Sequence, residues 1–480
     1  MERMNPLDAT FLHVEDGVTH LQIASCAVFE GPQPPYEQLV EMFAAKLPLV
    51  PRYRQRVRFV PFDLGRPVWI DDPDFNLEYH MRRTAVPAPG GEKELCALMA
   101  RVMSKELDRE RPLWETWIVE GLSGGRWAML SLVHHCMVDG VSGTDMMGVV
   151  LDHTREPAVD PALPLKDPWV PEPAPTDLQL VTDALAQRFR SPYEMWRSAR
   201  SALRTPRRAM SKLGEVGLGV MAMGGNIIHP TPPTSLDGGI GPARRWAVAR
   251  ATIDDIRVVR KELGGTLNDV VLAAVTNGFR ELILHRGEDP EAVVLRSLIP
   301  VSVRAPSARG AYDNRVSSIY LELPTHVAEP VARLSAVRAR MDALKASHET
   351  EAGEAIVALA TYGSGAIQGP MMRTASRLLH RFPQRSVNTV VTNVPGPPQP
   401  LYAAGREMLE YLPFVPLSHG VRLGVAVLSY NGRMFFGVTG DFDTAPDVGV
   451  LAKGIERGMR DLVKAARKQA GKEPVAAAAS

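Results

Sequence analysis

Apolar positions along this chain recur with two periods, and the switches between them outline its elements. Residues 126–133, Arg-Trp-Ala-Met-Leu-Ser-Leu-Val, read as a strand, and Gly121-Leu122-Ser123-Gly124-Gly125 reads as the tip of a hairpin from Trp117-Ile118-Val119. A further strand is expected at 21–29, with helices at 36–45 and 92–107. In the second half, Val270-Val271, Ala274-Val275, Gly278-Phe279 and Leu282 recur at helical spacing, with Thr266 or Asn268 as the cap. Strands follow at 293–299, 316–323 and 387–392. Alternating Val421, Leu423, Val425 and Val427 lead into Tyr430-Asn431-Gly432-Arg433, where Asn-Gly suits a type I′ hairpin turn.

At 480 residues the chain is too long for one simple core. Proline crowds residues 161–175, and a second broken stretch spans 229–242. This divides the chain into an N-terminal lobe at 1–160, a Pro-rich and basic helical connector at 161–242, a C-terminal lobe at 243–468 and a disordered tail at 469–480. The class expected is α+β, two lobes with mixed sheets and packed helices joined by a long crossover, leaving a ligand cleft between them. A net charge of +1 argues against nucleic acid as a partner. Three cysteines fit a reducing cytoplasm, and neither a signal-like start nor an apolar stretch of about 18 residues is found.

The chemistry is expected in His134-His135-Cys136-Met137-Val138-Asp139-Gly140, which closes the apolar strand and opens a turn. Side chains alternate along a strand, so His134 shares a face with Leu130 and Leu132 and reads as a hydrogen-bonded core histidine. His135 points the other way and is the reactive candidate. Asp139 lies in the turn, Gly140 supplies its positive φ, and Ser142 or Thr144 caps a helix that follows. A neutral imidazole, with an ordinary pKa of about 6.5, accepts a proton from a hydroxyl near neutral pH. Adjacent histidines on opposite faces do not converge on one metal ion. No G-x-S-x-G elbow occurs, Thr361-Tyr362-Gly363-Ser364-Gly365 lacking the first glycine, and Cys136 is too near in sequence to stack against His135 as a nucleophile. What remains is a histidine that activates the substrate itself, without metal or cofactor.

Several further segments resemble the bacterial wax ester synthase/diacylglycerol acyltransferase family. Pro6-Leu7-Asp8-Ala9-Thr10-Phe11-Leu12 is similar to that family's N-terminal start, and Pro112-Leu113-Trp114 to its PLW element. Asn268-Asp269 matches its ND element, Pro300-Val301-Ser302-Val303-Arg304 a strand end, and Thr392-Asn393-Val394-Pro395-Gly396-Pro397 its SNVPGP element with Thr for Ser. The resemblance implies two chloramphenicol acetyltransferase-like lobes and transfer from acyl-CoA, as substrate, to diacylglycerol or a long-chain alcohol. It implies His135 as general base, Thr392 or Asn393 as oxyanion donors, and Asp139 as an orienting group paired with Arg304. Each supporting element also has a structural reading: Pro112-Leu113-Trp114 as a rigid turn and core aromatic, Asn268 and Asp269 as helix capping. The HHxxxDG spacing is shared with enzymes that take a carrier-bound acyl group and a polyketide or peptide acceptor, which stand as the alternative. A catalytically silent lipid-binding protein of the same fold is a third reading.

From Arg188 to Lys212 the connector carries Arg188, Arg190, Arg197, Arg200, Arg204, Arg207, Arg208 and Lys212 against the single acid Glu194, interleaved with apolar residues. A basic, partly amphipathic helix of this kind suits peripheral attachment to a membrane or lipid-droplet surface on the cytoplasmic side.

Overall fold

The computed structural model describes residues 2–137, 148–156, 169–186, 231–302, 316–346 and 385–471. Two six-stranded sheets dominate them. The first runs β12 (Tyr402–Ala403), β13 (Arg406–Phe414), β2 (Gln22–Phe29), β7 (Trp127–His134), β6 (Trp114–Glu120) and β5 (Met81–Ala85). The second runs β10 (Val316–Leu323), β9 (Leu295–Ser302), β11 (Thr389–Val394), β14 (Leu423–Tyr430), β15 (Arg433–Asp441) and β8 (Arg244–Thr252). A small sheet pairs β4 (Val68–Asp71) with β1 (Glu2–Arg3) on one side and β3 (Gln55–Arg58) on the other.

The helices include α1 (Pro6–Val14), α2 (Tyr36–Lys46), α3 (Leu77–His80), α4 (Glu92–Met103), α5 (Ile253–Leu263), α6 (Leu267–His285), α7 (Pro330–Ala346) and α8 (Val448–Ala470). Of the two cap candidates for α6, Thr266 takes the position. Its N–H donates to Asp269 Oδ2 at 2.7 Å while its Oγ1 accepts from the Asp269 N–H at 3.2 Å, a reciprocal capping box. Every residue of α6 from Asp269 to Phe279 is buried, which makes it the central helix of the second lobe. The expected tail at 469–480 begins too early, because α8 continues through Ala470. Its apolar stripe, Leu451, Ile455, Leu462 and Ala466, persists almost to that end, and Gln469 Nε2 donates to the Glu262 carbonyl at 2.9 Å.

The lobes are not two consecutive halves of the chain. β12 and β13, placed by the sequence reading in the C-terminal lobe, join the first sheet, where β13 pairs antiparallel with β2. The chain thus leaves the second sheet after β11, adds two strands to the first, and returns as β14. Periodicity predicts that a strand exists but not which edge it joins, since any exposed edge offers the same backbone groups. The Asn431-Gly432 turn between β14 and β15 has φ of 43° and 75°, as a type I′ hairpin requires.

The lobes meet where β13 crosses β15. A Cβ on Gly437 would lie 1.7 Å from the Pro413 carbonyl oxygen, so only glycine permits this approach. Beside it, Arg250 of β8 grips Glu410 of β13 with two bonds, Nε–Oε1 at 3.0 Å and Nη2–Oε2 at 2.7 Å, and reaches Glu92 at the start of α4 at 2.6 Å. Among the described residues no helix is long and apolar enough to cross a membrane. Gly437→Ala forces the backbones apart and is expected to cost about 3 kcal/mol, read as a lowered urea midpoint.

Candidate active site

β7 ends at His134, and residues 135–137 turn away as a short 3-10 segment. Two backbone bonds hold this point. The His134 N–H donates to the Leu113 carbonyl and the His135 N–H to the Leu21 carbonyl, each at 2.9 Å. His134 is 1% exposed. Its Nδ1 accepts from the Cys136 N–H at 3.1 Å, an assignment that leaves the proton on Nε2, which faces Glu15 Oε2 at 3.2 Å. Glu15 also accepts from the Leu21 N–H at 3.0 Å and from Arg109 at 2.7 Å. Burial alone would raise the Glu15 pKa, but His134 and Arg109 together hold it down at about 2.

His135 stands on this base. Its ring lies against Phe11 of α1, with centroids 4.2 Å apart and planes at 36°. The residue is half-buried, and its Nδ1 finds no hydrogen-bond partner among the described residues. Burial pushes its pKa down to about 4; its own carbonyl beside the ring opposes this without reaching hydrogen-bond geometry, and the neighbouring His134 adds to it. The imidazole is therefore neutral and able to accept a proton throughout the neutral range. Cys136 cannot serve as a nucleophile there. It is 1% exposed, and burial, with Asp8 and Glu15 nearby, pushes its thiol well above the ordinary range.

The PLW segment supports rather than lines the site. Leu113 and Trp114 are each 1% exposed; Leu113 supplies the carbonyl that holds His134, and Trp114 Nε1 donates to the Tyr53 carbonyl at 2.8 Å. Trp114 stacks on buried His80, 4.6 Å away with planes at 15°. Burial also lowers the His80 pKa to about 4.

Two segments far apart in sequence meet in the second lobe, where Asn393 Nδ2 donates to Asn268 Oδ1 at 3.2 Å. Strand alternation then separates the two oxyanion candidates. Asn393 is paired in register with Val427, whose side chain belongs to the second lobe's core, so it faces α6 and serves to tie β11 to that helix. Thr392, in register with Ala426, faces the opposite way. Leu428 and Tyr430, on that same face of β14, join the first lobe's core, so Thr392 is directed toward the first lobe. No hydrogen bond joins His135 to Thr392 or Asn393 among the described residues. Asp139, Gly140, Ser142, Thr144, Arg304, the 361–365 segment and the basic stretch from Arg188 to Lys212 lie outside the described residues.

Phe11, Glu15 and Arg109 are the residues that sequence reasoning missed. Phe11 lies inside the Pro6–Leu12 string, but nothing in its spacing indicates a ring partner at His135. Glu15 and Arg109 are ordinary surface residue types whose pairing becomes visible only when the chain folds.

Two lobes on six-stranded sheets, with β12 and β13 crossing over to the first and a histidine at a strand end, form a fold found in two-lobed acyltransferases. The same fold occurs in the wax ester synthase/diacylglycerol acyltransferase from Marinobacter aquaeolei VT8, at a TM-score of 0.66 and 25% identity over 97% of this chain and 100% of that one. The first condensation domain of the calcium-dependent antibiotic synthetase shares the fold at a TM-score of 0.56 and 17% identity, covering 98% and 97% of the two chains. The wax ester synthase/diacylglycerol acyltransferase catalytic domain matches residues 4–271, and the WS/DGAT C-terminal domain residues 312–463. A probable diacylglycerol O-acyltransferase of Mycobacterium tuberculosis H37Rv is 37% identical over 98% of this chain and 97% of its own length, and a putative one of the same strain 31% over 98% of each. The chain belongs to the wax ester synthase/diacylglycerol acyltransferase family.

Two outcomes follow from this geometry. His80 and His135 both have folded pKa values near 4, below the unfolded value of about 6.5. Their contribution to stability is whole above pH 6.5 and is lost as pH falls toward 4, so the urea midpoint should drop between pH 7 and pH 5. Phe11→Ala frees the His135 ring; kcat should fall roughly tenfold to a hundredfold, with the circular dichroism spectrum unchanged.

Proposed function

We propose that this protein is an O-acyltransferase that moves a long-chain acyl group from acyl-CoA to a lipid hydroxyl, forming triacylglycerol from diacylglycerol and wax esters from long-chain alcohols. The observation that carries the reading is His135, neutral at physiological pH and held from three sides by Leu21, Leu113 through His134, and Phe11. His135 takes the proton of the acceptor hydroxyl as its oxygen attacks the thioester carbonyl. The tetrahedral intermediate collapses with cleavage of the C–S bond, and the imidazolium returns the proton to the departing thiolate. Alcohol and thioester become ester and thiol, so atoms balance without an acyl-enzyme, metal or cofactor.

Thr392 supports the oxyanion role better than Asn393, because its hydroxyl is on the face directed toward the first lobe while the Asn393 amide is engaged by Asn268. For Asp139, which like Arg304 lies outside the described residues, the family resemblance supports an orienting role paired with Arg304. The enzyme acts on the cytoplasmic side at a membrane or lipid-droplet surface, with the basic connector as its sequence-level support.

The test is purified protein with palmitoyl-CoA, offered diacylglycerol and hexadecanol in competition, with products separated by thin-layer chromatography. Both esters should form. His135→Ala should lower kcat about a thousandfold and Thr392→Val about a hundredfold, with folding intact. Turnover of a carrier-protein thioester in the absence of any with free acyl-CoA would transfer the assignment to the condensation class.

A further inference from the structure

Arg244 opens β8 at the seam between the lobes, and it is 4% exposed. A guanidinium keeps its charge when buried, so its donors need oxygens around them. The bonds it makes among the described residues go to carbonyls. Nη1 donates to Gly241 and, at 3.1 Å, to Ala243, while Nη2 crosses to the first lobe and donates to Val18. The Arg244 N–H crosses as well, to Ser104 Oγ beside the end of α4 at 2.9 Å, and that hydroxyl donates onward to the Ala100 carbonyl at 2.7 Å. Asp441, opposite Arg244 in the β8–β15 register, accepts from the Gly241 N–H at 2.7 Å and from the Thr444 N–H and Oγ1 at 3.0 and 2.7 Å. It fixes the turn ahead of β8 and supplies the countercharge that favours the buried cation.

Val18 lies in the link from Glu15 to Leu21 that joins α1 to β2. Both ends of that link belong to the base of the site: Glu15 faces His134, and the Leu21 carbonyl accepts the His135 N–H at 2.9 Å. Between them the chain closes on itself. Asp16 Oδ1 accepts from the Val18 and Thr19 N–H groups at 3.0 and 2.7 Å, and the Asp16 N–H donates to the Thr19 carbonyl at 3.2 Å. Thr19 Oγ1 and both ring nitrogens of His20 are buried without a hydrogen-bond partner among the described residues, and His20 Nε2 stands 3.6 Å from Glu106. These two side chains therefore do little to anchor the link. Its tie to the second lobe is the Val18 carbonyl, three residues before Leu21.

We propose that Arg244 is a positioning residue for His135: by holding the Val18 carbonyl from the second lobe it sets Leu21, and through Leu21 the backbone of the reactive histidine. Docking of the lobes and placement of the imidazole are then one event, because the same guanidinium serves both. The inference rests on the general-base reading of His135.

The experiment compares Arg244→Met and Arg244→Lys with Arg250→Met, which breaks the other ion-paired contact of the seam. Arg244→Met should speed hydrogen–deuterium exchange over residues 16–22 and at His135, and lower kcat roughly tenfold to a hundredfold with KM for palmitoyl-CoA within about twofold. Its kcat/KM should also fall between pH 7 and pH 5.5, where the parent stays level. The ring, faced by Phe11 and His134 and by Glu15 through His134, regains solvent on release, so its pKa rises from about 4 toward the ordinary 6.5 and the base is lost to protonation. Arg244→Lys keeps the charge but not the fork that reaches three carbonyls; it should show the same pattern with kcat down about threefold to tenfold, which preserves the test where Arg244→Met unfolds. Arg250→Met should lower the urea midpoint while leaving exchange at 16–22 and at His135 at the parent level. Parent-like exchange and kcat in the Arg244 variants, or equal losses in Arg250→Met, overturn the proposal. Exchange requires no turnover, so that result is distinct from failure of the general-base reading, which would appear as kcat retained in His135→Ala.

Discussion

A carboxylate taken out of water has to be neutralised where it lies, and in this fold that requirement falls on Glu15. The bonds that satisfy it come from Arg109, from the backbone of Leu21 ahead of β2, and from His134 at the end of β7. Two segments distant in sequence, at Arg109 and His134, and the nearby Leu21 are thereby fixed to the end of α1. His134, committed to Glu15 on one nitrogen and to Cys136 on the other, sets the tautomer and the direction in which the chain turns. His135 is the next residue, so its position follows from that commitment, and Phe11 on the same α1 closes the remaining side of its ring.

The second constraint is the path of the chain between lobes. β11 ends at Thr392-Asn393-Val394, and the proline-rich turn that follows carries the chain into the first sheet. The Gly396 N–H in that turn donates to Ser429 Oγ of β14 at 3.1 Å, holding the departure point against the sheet being left. Thr392 therefore stands just before the crossing, directed toward the lobe that carries His135. Gly437 and the Arg250–Glu410 pair hold the two sheets at close range, so the lobes cannot slide independently there.

Much of the architecture was legible because its signals are local. Alternation located β2, β7, β10 and the β14–β15 hairpin, and the Asn-Gly turn identified itself. His134 and His135 were separated by strand alternation alone. The failures share one cause: the stretch that forms β12 and β13 was assigned to the wrong lobe, and α8 was cut short. Each depends on which surface an element meets, and a residue's own neighbours in sequence carry no record of that.

The amino-acid order by itself determined the elements, the strand-end histidine and the family elements around it, since these follow from side-chain period, turn conformation and residue chemistry. Tertiary structure alone decided that Glu15 would be the charge beneath the motif, that Phe11 would back the His135 ring, and that Thr392 rather than Asn393 would face the opposite lobe. The physical reason is distance along the chain. Glu15 and His134 are 119 positions apart, and burial, pairing and pKa are properties of surroundings that exist only after such segments have been brought together.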